Sequence, residues 1–184
     1  MRLKVSIKVI LYNTGMKKYV FKPYLTIFPD LYKKEEARIK KILDKDDLIE
    51  HFGSTAVPGL GGKGIIDIYI ATKKNRMKAL SEELQKLGYE YRPQAVSEER
   101  LFHKISLPDP VEGERVYRVH VAFIKNKDWV NAIKLRDYLR KHPADAQKYA
   151  KVKKIAAKKA KEEREIYIQI KGPVLEEILE KALK

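Results

Sequence analysis

The segment from His51 to Thr72, HFGSTAVPGLGGKGIIDIYIAT, constrains the fold of this chain more than any other. It predicts a strand end, a loop rich in glycine, serine and proline, and an apolar strand over Ile65–Thr72 that contains one carboxylate, Asp67. A charged side chain in an apolar strand is costly to bury unless it is paired or binds a cation. A loop rich in backbone N–H groups ahead of that carboxylate suits a phosphate group beside a metal ion. The alternative is turn chemistry between two strands, with Asp67 satisfied by a neighbouring lysine.

The composition indicates one folded domain. The chain has 184 residues, of which 44% are hydrophobic, and this excludes a disordered protein. The apolar runs are too short to span a bilayer and no signal-peptide pattern is present, so we expect a cytoplasmic protein with no membrane partner. The absence of cysteine excludes disulfides and thiolate metal sites. The charged fraction of 35%, dominated by lysine and glutamate, resembles that of thermophilic proteins.

The net charge of +15 favours polyanionic partners. Much of it is local, because the segment from Arg140 to Lys171 contains eleven Lys or Arg residues and four Asp or Glu residues. Nucleotide phosphates and nucleic acid are both compatible with this excess. The alternative is a helix face that is simply solvated.

The hydrophobic periodicity predicts an α/β (α+β) domain over residues 25–184, preceded by a β-hairpin extension over residues 1–24. The expected helices run over Pro29–Leu43 with Asp30 as N-cap, from Asn75 as N-cap to Gly88, over Lys127–Lys141, from there to Lys171, and over Val174–Leu183. The expected strands are Asp47–Phe52, Ile65–Thr72, Tyr89–Arg92, Leu101–Leu107 and Val116–Phe123. His142-Pro143 and Gly172-Pro173 are the predicted breaks between the last three helices.

Two later segments carry further candidates. The sequence Tyr117-Arg118-Val119-His120-Val121 puts Arg118 and His120 on one face of a strand. Tyr167 and Lys171 are four residues apart and share a helix face, so they can address one ligand.

The strings GSTAVPGL and IIDI, together with Arg-Asp-Tyr-Leu-Arg-Lys-His-Pro from Arg136, resemble the GrpB-like family of the nucleotidyltransferase fold superfamily. The resemblance covers Tyr19 to Leu179. It implies a nucleotidyltransferase-like mixed sheet with flanking helices and a helical C-terminal half. It also implies a cleft bounded by the Gly-Ser loop, the Asp67 strand and the C-terminal helices. The residues that match the family pattern are Gly53, Ser54, Thr55, Asp67, His120, Arg136, Tyr149, Lys153, Tyr167 and Lys171.

The chain departs from the superfamily pattern at the acids that hold metal ions. Tyr69 stands where a second carboxylate is expected, and Arg118 replaces the first histidine of a His-x-His strand motif. One carboxylate and one imidazole form a poor Mg²⁺ pair, because imidazole suits Zn or Mn better. The fold is therefore a stronger expectation than nucleotidyl transfer.

The leading hypothesis is a protein that binds a nucleotide or another phosphorylated small molecule, with Ser54, Asp67 and His120 converging on one cleft. Its expected ligand-binding residues are Gly53, Ser54, Thr55, Lys63, Arg118, Arg136, Lys153, Tyr167 and Lys171. Asp67 and His120 are the expected catalytic and metal-binding residues, with Mg²⁺, Mn²⁺ or Zn²⁺ as the cation. The enzymatic version is a transferase with a reduced metal site. The alternatives are a non-catalytic module that binds nucleic acid or a protein through its basic C-terminal helix, and a remnant of the fold with no ligand.

Overall fold

The computed structural model describes residues 20–95, 99–161 and 163–184. Within them the chain forms five α-helices and one five-stranded sheet. The helices are α1 (Phe28–Ile39), α2 (Met77–Lys86), α3 (Lys127–Lys141), α4 (Pro143–Ala160) and α5 (Arg164–Leu183). The strands are β1 (Leu48–Phe52), β2 (Ile66–Thr72), β3 (Glu90–Tyr91), β4 (Arg100–Asp109) and β5 (Gly113–Phe123).

The sheet is mixed, with strand order β1-β2-β5-β4-β3. The central pair, β2 and β5, is parallel, and the other three pairs are antiparallel. This arrangement confirms the predicted α/β fold with flanking helices and a helical C-terminal half. The apolar strand with its single carboxylate is therefore next to the centre of the sheet.

The two faces of the sheet are covered by different helices, because successive side chains of a strand point to opposite sides. Ile66, Ile68 and Ile70 point to the face that packs against α1 and α2. Each is fully buried, and burial of such a side chain contributes about 1.5–3 kcal/mol. The other face carries Asp67 and Tyr69, and Tyr69 packs against Trp129 of α3. The site is built on this second face.

Two helix starts differ from the prediction. Asp30 lies inside the first turn of α1, since the helix begins at Phe28 and the N-cap residue is Ile27. Pro29 needs no N–H partner in a first turn, and the carboxylate of Asp30 favours the positive end of the helix dipole from within. Asn75 lies in a 3-10 turn, Lys74–Arg76, which continues directly into α2. Neither residue caps a helix as predicted.

The predicted break at Gly172-Pro173 is also wrong. α4 ends at Ala160, the chain turns at Lys161 with φ of 49°, and α5 runs through Pro173. Proline in a helix interior removes one hydrogen bond at a cost of about 3 kcal/mol. Packing outweighs this cost, because Ile178 beyond the proline is fully buried against α3 and α4.

The predicted β-hairpin over residues 1–24 lies for the most part outside the described residues. From its C-terminal end, Lys22 forms an antiparallel bridge with Gly62: the Lys22 N–H donates to the Gly62 carbonyl at 2.6 Å, and the Gly62 N–H donates back at 2.9 Å. The chain before α1 therefore lies along the glycine-rich loop.

Among the described parts of the chain, no helix combines the length and apolarity that a membrane crossing requires.

Candidate functional site

The glycine-rich loop between β1 and β2 folds against the carboxylate of Asp67. Gly53 begins the loop with φ of 74°, a conformation that L-residues rarely adopt. A Cβ atom at this position would lie 2.7 Å from Asp67 Oδ2. Glycine is therefore required twice over, by the backbone angle and by the close approach of the carboxylate.

Three cationic side chains hold the loop by its carbonyl oxygens. Arg140 Nε donates to the Ala56 carbonyl at 2.9 Å, and Lys153 Nζ donates to the Gly61 carbonyl at 2.5 Å. Arg115 Nη1 donates to the Gly64 carbonyl at 2.5 Å. These contacts fix both ends and the middle of the loop from α3, α4 and β5.

Thr55 braces the loop from inside the protein. Its side chain is buried, and its hydroxyl donates to the Ile65 carbonyl at 2.9 Å. That hydroxyl must therefore accept from His51 Nε2, 3.0 Å away. Burial, reinforced by Arg140 and Arg136, lowers the pKa of His51 to about 3 and keeps the ring neutral. Thr55 was predicted to bind ligand, and within the fold its hydroxyl already donates one hydrogen bond and accepts another.

Three of the predicted residues, Asp67, Arg118 and His120, share one face of the central strand pair with Tyr69. In the parallel register Asp67 is level with Arg118, and Tyr69 is level with His120. The Asp67 and Arg118 side chains line a cavity of about 250 Å³ that opens between the sheet, the loop and α3, α4 and α5. This placement brings together residues that are far apart in the sequence.

The lining of this cavity, called the cationic cavity below, is rich in positive charge. Of the predicted ligand-binding residues it contains Gly53, Ser54, Lys63, Arg118, Arg136, Lys153, Tyr167 and Lys171. Asp67 is the only carboxylate among the described residues that line it. Five cationic side chains thus face one acid.

Burial and mutual repulsion shift the pKa values of the charged groups that line the cationic cavity. Burial raises the pKa of Asp67 to about 6, although Arg118, Lys63 and Lys171 oppose the shift. Burial, with repulsion from Lys171, lowers the pKa of Lys153 to about 7. Burial lowers the pKa of Lys171 to about 8, with Asp67 acting in the opposite direction, and the pKa of Lys63 also falls to about 8. The charged form of each group is therefore less favourable in the cavity than it is in water.

Two tyrosine rings offset part of this cost. Lys153 Nζ lies 4.8 Å from the centre of the Tyr149 ring. Lys171 Nζ and Lys63 Nζ lie 5.4 Å and 5.6 Å from the centre of the Tyr167 ring. A cation over an aromatic face gains about 0.5–2 kcal/mol, which is less than the cost of burying it.

Arg136 is in the cavity wall, but its charge is largely neutralised. Its guanidinium donates to Glu50 Oε2 at 2.5 Å, to Asp137 Oδ1 at 2.8 Å and to the His51 carbonyl at 2.9 Å. It was predicted to bind phosphate. That role stays a prediction, and the contacts of Arg136 join α3 to β1.

His120 does not converge with Ser54 and Asp67 on the cavity. It is on the same face of the sheet, two residues beyond Arg118, but it is surrounded by aromatic rings. Its ring centre lies 4.9 Å from that of Phe102, 5.3 Å from that of Phe52 and 5.4 Å from that of Tyr69. Burial, with Arg100 and Arg118 acting in the same direction, places its pKa well below the usual value. The ring is neutral and outside the cavity lining.

The donor set does not fit a pair of divalent cations. No group of three or more His, Asp or Glu side chains within metal-binding reach occurs among the residues described. Asp67 is a single carboxylate in a field of cations, and His120 is turned into the aromatic cluster. Mg²⁺ and Mn²⁺ require several hard oxygen ligands, so the predicted cation site at Asp67 and His120 lacks its ligands.

Sequence reasoning missed two residues that shape the cavity. Gly62 permits close packing, since a Cβ there would collide with Ser54 Oγ and approach Lys153 Nζ to 3.5 Å. The Gly61-Gly62 pair was the available signal. Nothing in the sequence pattern indicated Arg115, because Asp109 and Gly64 contact it only when the β4–β5 hairpin packs against the loop.

Comparison with known proteins gives consistent matches. The family model described as "GrpB protein" matches residues 19–181. A UPF0157 protein of Pseudomonas aeruginosa is 38% identical over 136 residues, which are 73% of this chain and 55% of that protein. The glutamate-rich protein GrpB of Alkalihalophilus pseudofirmus is 30% identical over 155 residues, covering 81% of this chain and 87% of that protein. The chain thus spans about half of the Pseudomonas relative and most of the Alkalihalophilus one.

The fold is also similar to a solved structure. The crystal structure of the conserved protein GrpB from Enterococcus faecalis is 26% identical to this chain and superposes with a TM-score of 0.73. The match covers 90% of this chain and all of that one. Since the family model and the relatives span the sheet, the loop and the C-terminal helices alike, the chain belongs to the GrpB family.

Proposed function

We propose that the cationic cavity binds the phosphate group of a nucleotide or of another phosphorylated small molecule. The observation that supports this proposal most directly is the charge of the cavity wall. Lys153 and Lys171 are 4% and 9% exposed, and they share the cavity with Lys63, Arg118 and one carboxylate. Buried cations without matching acids cost stability, and an anion in the cavity removes that cost.

The surroundings suit a small anion better than a polymer. The cavity of about 250 Å³ is enclosed by the loop and by three helices. The exposed lysines of α4, such as Lys151 and Lys158, lie outside it. The exposed large hydrophobic residues of the described chain include no aromatic side chain that would stack on the bases of single-stranded nucleic acid. A nucleic-acid module is therefore the weaker hypothesis.

Any group transfer at this site would depend on the lysines and Arg118 to stabilise phosphate charge. Fixed cations in a site from which water is excluded stabilise a developing anion more strongly than they would in water. Asp67, with its pKa near 6, would be partly protonated at neutral pH and would repel an anion less than an ordinary aspartate. This arrangement favours binding, with transfer as an additional activity to be tested.

The test is thermal unfolding with a panel of inorganic phosphate, pyrophosphate, nucleotides and sugar phosphates at matched ionic strength, with and without Mg²⁺, Mn²⁺ or Zn²⁺. A ligand at about 100 times its Kd stabilises the native state by about 2.7 kcal/mol, which raises Tm measurably. Lys171→Met should abolish the shift. Lys151→Met, which removes an exposed lysine of α4, is the matched control and should retain it.

Equal loss of the shift in both variants would identify general electrostatic attraction instead of a site. A panel in which no phosphate compound raises Tm would overturn the proposal. If an oligonucleotide alone raises Tm and Lys151→Met weakens that effect, the nucleic-acid hypothesis is correct.

A further inference from the structure

Lys153 has surroundings that distinguish it from the other lysines of α4. Its Nζ donates to the Gly61 carbonyl and faces the Tyr149 ring. No carboxylate among the described residues lies within ion-pair distance of it. Lys148, one turn earlier on the exposed side, is paired with Glu177 at 2.6 Å. The Lys153 amine is thus held in place by a neutral partner.

Beyond these two contacts, the side chain of Lys153 borders open space. It lines the cationic cavity beside Gly62, whose missing Cβ allows the Ser54 hydroxyl and Lys153 Nζ to pack closely around the loop backbone. Lys171 faces the same cavity, and the repulsion between the two ammonium groups contributes to the lowered pKa of Lys153, which is about 7. Asp67, the acid of this cavity, counteracts the shift for Lys171 and leaves Lys153 the more readily deprotonated of the two.

A lysine in a desolvated pocket beside a second cation is the standard arrangement for a nucleophilic amine. The neutral amine has a free electron pair that attacks carbonyl carbon. In this cavity the amine is accompanied by cations that suit phosphate. The combination matches a molecule with a carbonyl group at one end and a phosphate at the other.

We infer that Lys153 binds the carbonyl carbon of a small phosphorylated aldehyde or ketone covalently, as an imine. The inference rests on the proposed phosphate-binding function for the orientation of the ligand. Lys63, Arg118 and Lys171 hold the phosphate, and the carbonyl group lies on the cavity side of Lys153 Nζ.

The reaction is a condensation and needs no redox partner. The lone pair of Lys153 Nζ forms a bond to the carbonyl carbon, and the π electrons of the carbonyl move to its oxygen. A proton passes from nitrogen to that oxygen to give a carbinolamine. A second proton, supplied from Lys171, lets the hydroxyl leave as water, and the C=N bond forms. Lys171 then recovers a proton from solvent or from the imine nitrogen.

The experiment traps the imine with sodium borohydride, which reduces C=N to a stable secondary amine. The full chain is incubated with glycolaldehyde phosphate, reduced and analysed by intact-protein mass and peptide mapping. We expect one adduct per chain, on Lys153, at aldehyde concentrations where exposed lysines such as Lys151 remain unmodified. Lys153→Met should reduce the yield by about tenfold or more, whereas Lys151→Met should not change it.

Two comparisons separate this inference from the proposed function. Glycolaldehyde, which lacks the phosphate, should label Lys153 far less, and pyrophosphate should compete with the phosphorylated aldehyde. If pyrophosphate raises Tm but no adduct forms on Lys153, phosphate binding stands and the imine is refuted. If glycolaldehyde labels Lys153 as well as its phosphate does, the amine is reactive but the phosphate site is refuted.

An adduct that maps to Lys63, Lys171 or scattered surface lysines overturns the inference. The mapping uses the unmodified wild-type chain, so this outcome is readable even if Lys153→Met fails to fold.

Discussion

The two faces of the central strand pair β2–β5 carry different kinds of side chain. On one face, called the aliphatic face, the core is mainly aliphatic: Ile66, Ile68, Ile70, Val119 and Val121 are all 0% exposed, and Tyr117 packs with them. On the other face the same strands carry Asp67, Tyr69, Arg118 and His120. Arg118 Nε and His120 Nδ1 are buried there without a hydrogen-bond partner in the described structure. The first face packs an apolar core, whereas the second face carries charges that lack carboxylate partners, an electrostatic cost that a ligand can relieve.

The two arginines of β5 show the same contrast at single residues. Arg115 belongs to the aliphatic face and is 2% exposed, and its guanidinium is paired with Asp109 and with the Gly64 carbonyl. Arg118, three residues later on the opposite face, lines the cationic cavity. A buried cation that is paired with a carboxylate, as Arg115 is with Asp109, is part of the fold, whereas Arg118 forms no ion pair within 4 Å in the described residues and indicates a site.

The largest expected effect comes from breaking the paired arginine. Arg115→Met should lower the free energy of unfolding by about 3–5 kcal/mol, because it leaves Asp109 buried and removes the support of the loop at Gly64. The matched variant, Arg118→Met, should change it by about 1 kcal/mol or less, since Asp67 can take up a proton in compensation. Urea unfolding monitored by circular dichroism at pH 7 measures both. Similar losses in the two variants would contradict the contrast between the faces.

A smaller effect of opposite sign is expected at Lys153. Lys153→Met should stabilise the protein by about 1 kcal/mol at pH 7, because removing a buried cation that lacks a carboxylate partner outweighs the lost hydrogen bond to the Gly61 carbonyl. Lys151→Met, the exposed control, should be neutral. A variant that is destabilised to the extent of a core truncation would show that Lys153 is a structural residue.

The lowered pKa of Lys153 predicts that the stability of the protein depends on pH. Its pKa is about 7 in the folded protein and 10.5 as the reference value. Between these values the unfolded chain holds a proton that the folded chain lacks, so stability should rise with pH in this window. The difference between wild type and Lys153→Met should therefore shrink from pH 7 to pH 10. A difference that is constant over this range would contradict the lowered pKa.

The sequence predicted the aliphatic face better than the polar one. The periodicity of Ile66, Ile68 and Ile70 identifies a strand, and the bounds of α3 match the prediction at both ends. Gly53, Ser54, Lys63, Lys153 and Lys171 were predicted to share a site, and they line one cavity, while their function stays a prediction. The local sequence pattern is sufficient to predict structure where residues that are close in the sequence determine it.

The errors on the polar face have a common cause, which is pairing across long distances in the sequence. Arg136 was predicted as a phosphate ligand and lines the cavity, but its pairing with Glu50, 86 residues away, was not predicted. His120 was predicted as a site residue, but Phe52 of β1 and Phe102 of β4 enclose it once the register of four strands is set. Whether a polar residue is available to a ligand depends on partners that the sequence does not place.

The smallest expected effect concerns the single acid of the cationic cavity. Asp67→Asn removes a negative charge that faces Lys63, Arg118 and Lys171. It should strengthen the binding of pyrophosphate several-fold at pH 8, where Asp67 is ionised, and leave binding nearly unchanged at pH 5, where most of it is protonated. Isothermal titration calorimetry at the two pH values measures the difference, with Glu82→Gln, an exposed acid of α2 on the other side of the sheet, as the control. In the sequence-based hypothesis Asp67 holds a metal ion beside the phosphate, and the same substitution should then weaken binding in the presence of Mg²⁺ or Mn²⁺. The sign of the change at pH 8, measured with and without these cations, thus decides whether Asp67 repels the ligand or binds it through a metal ion.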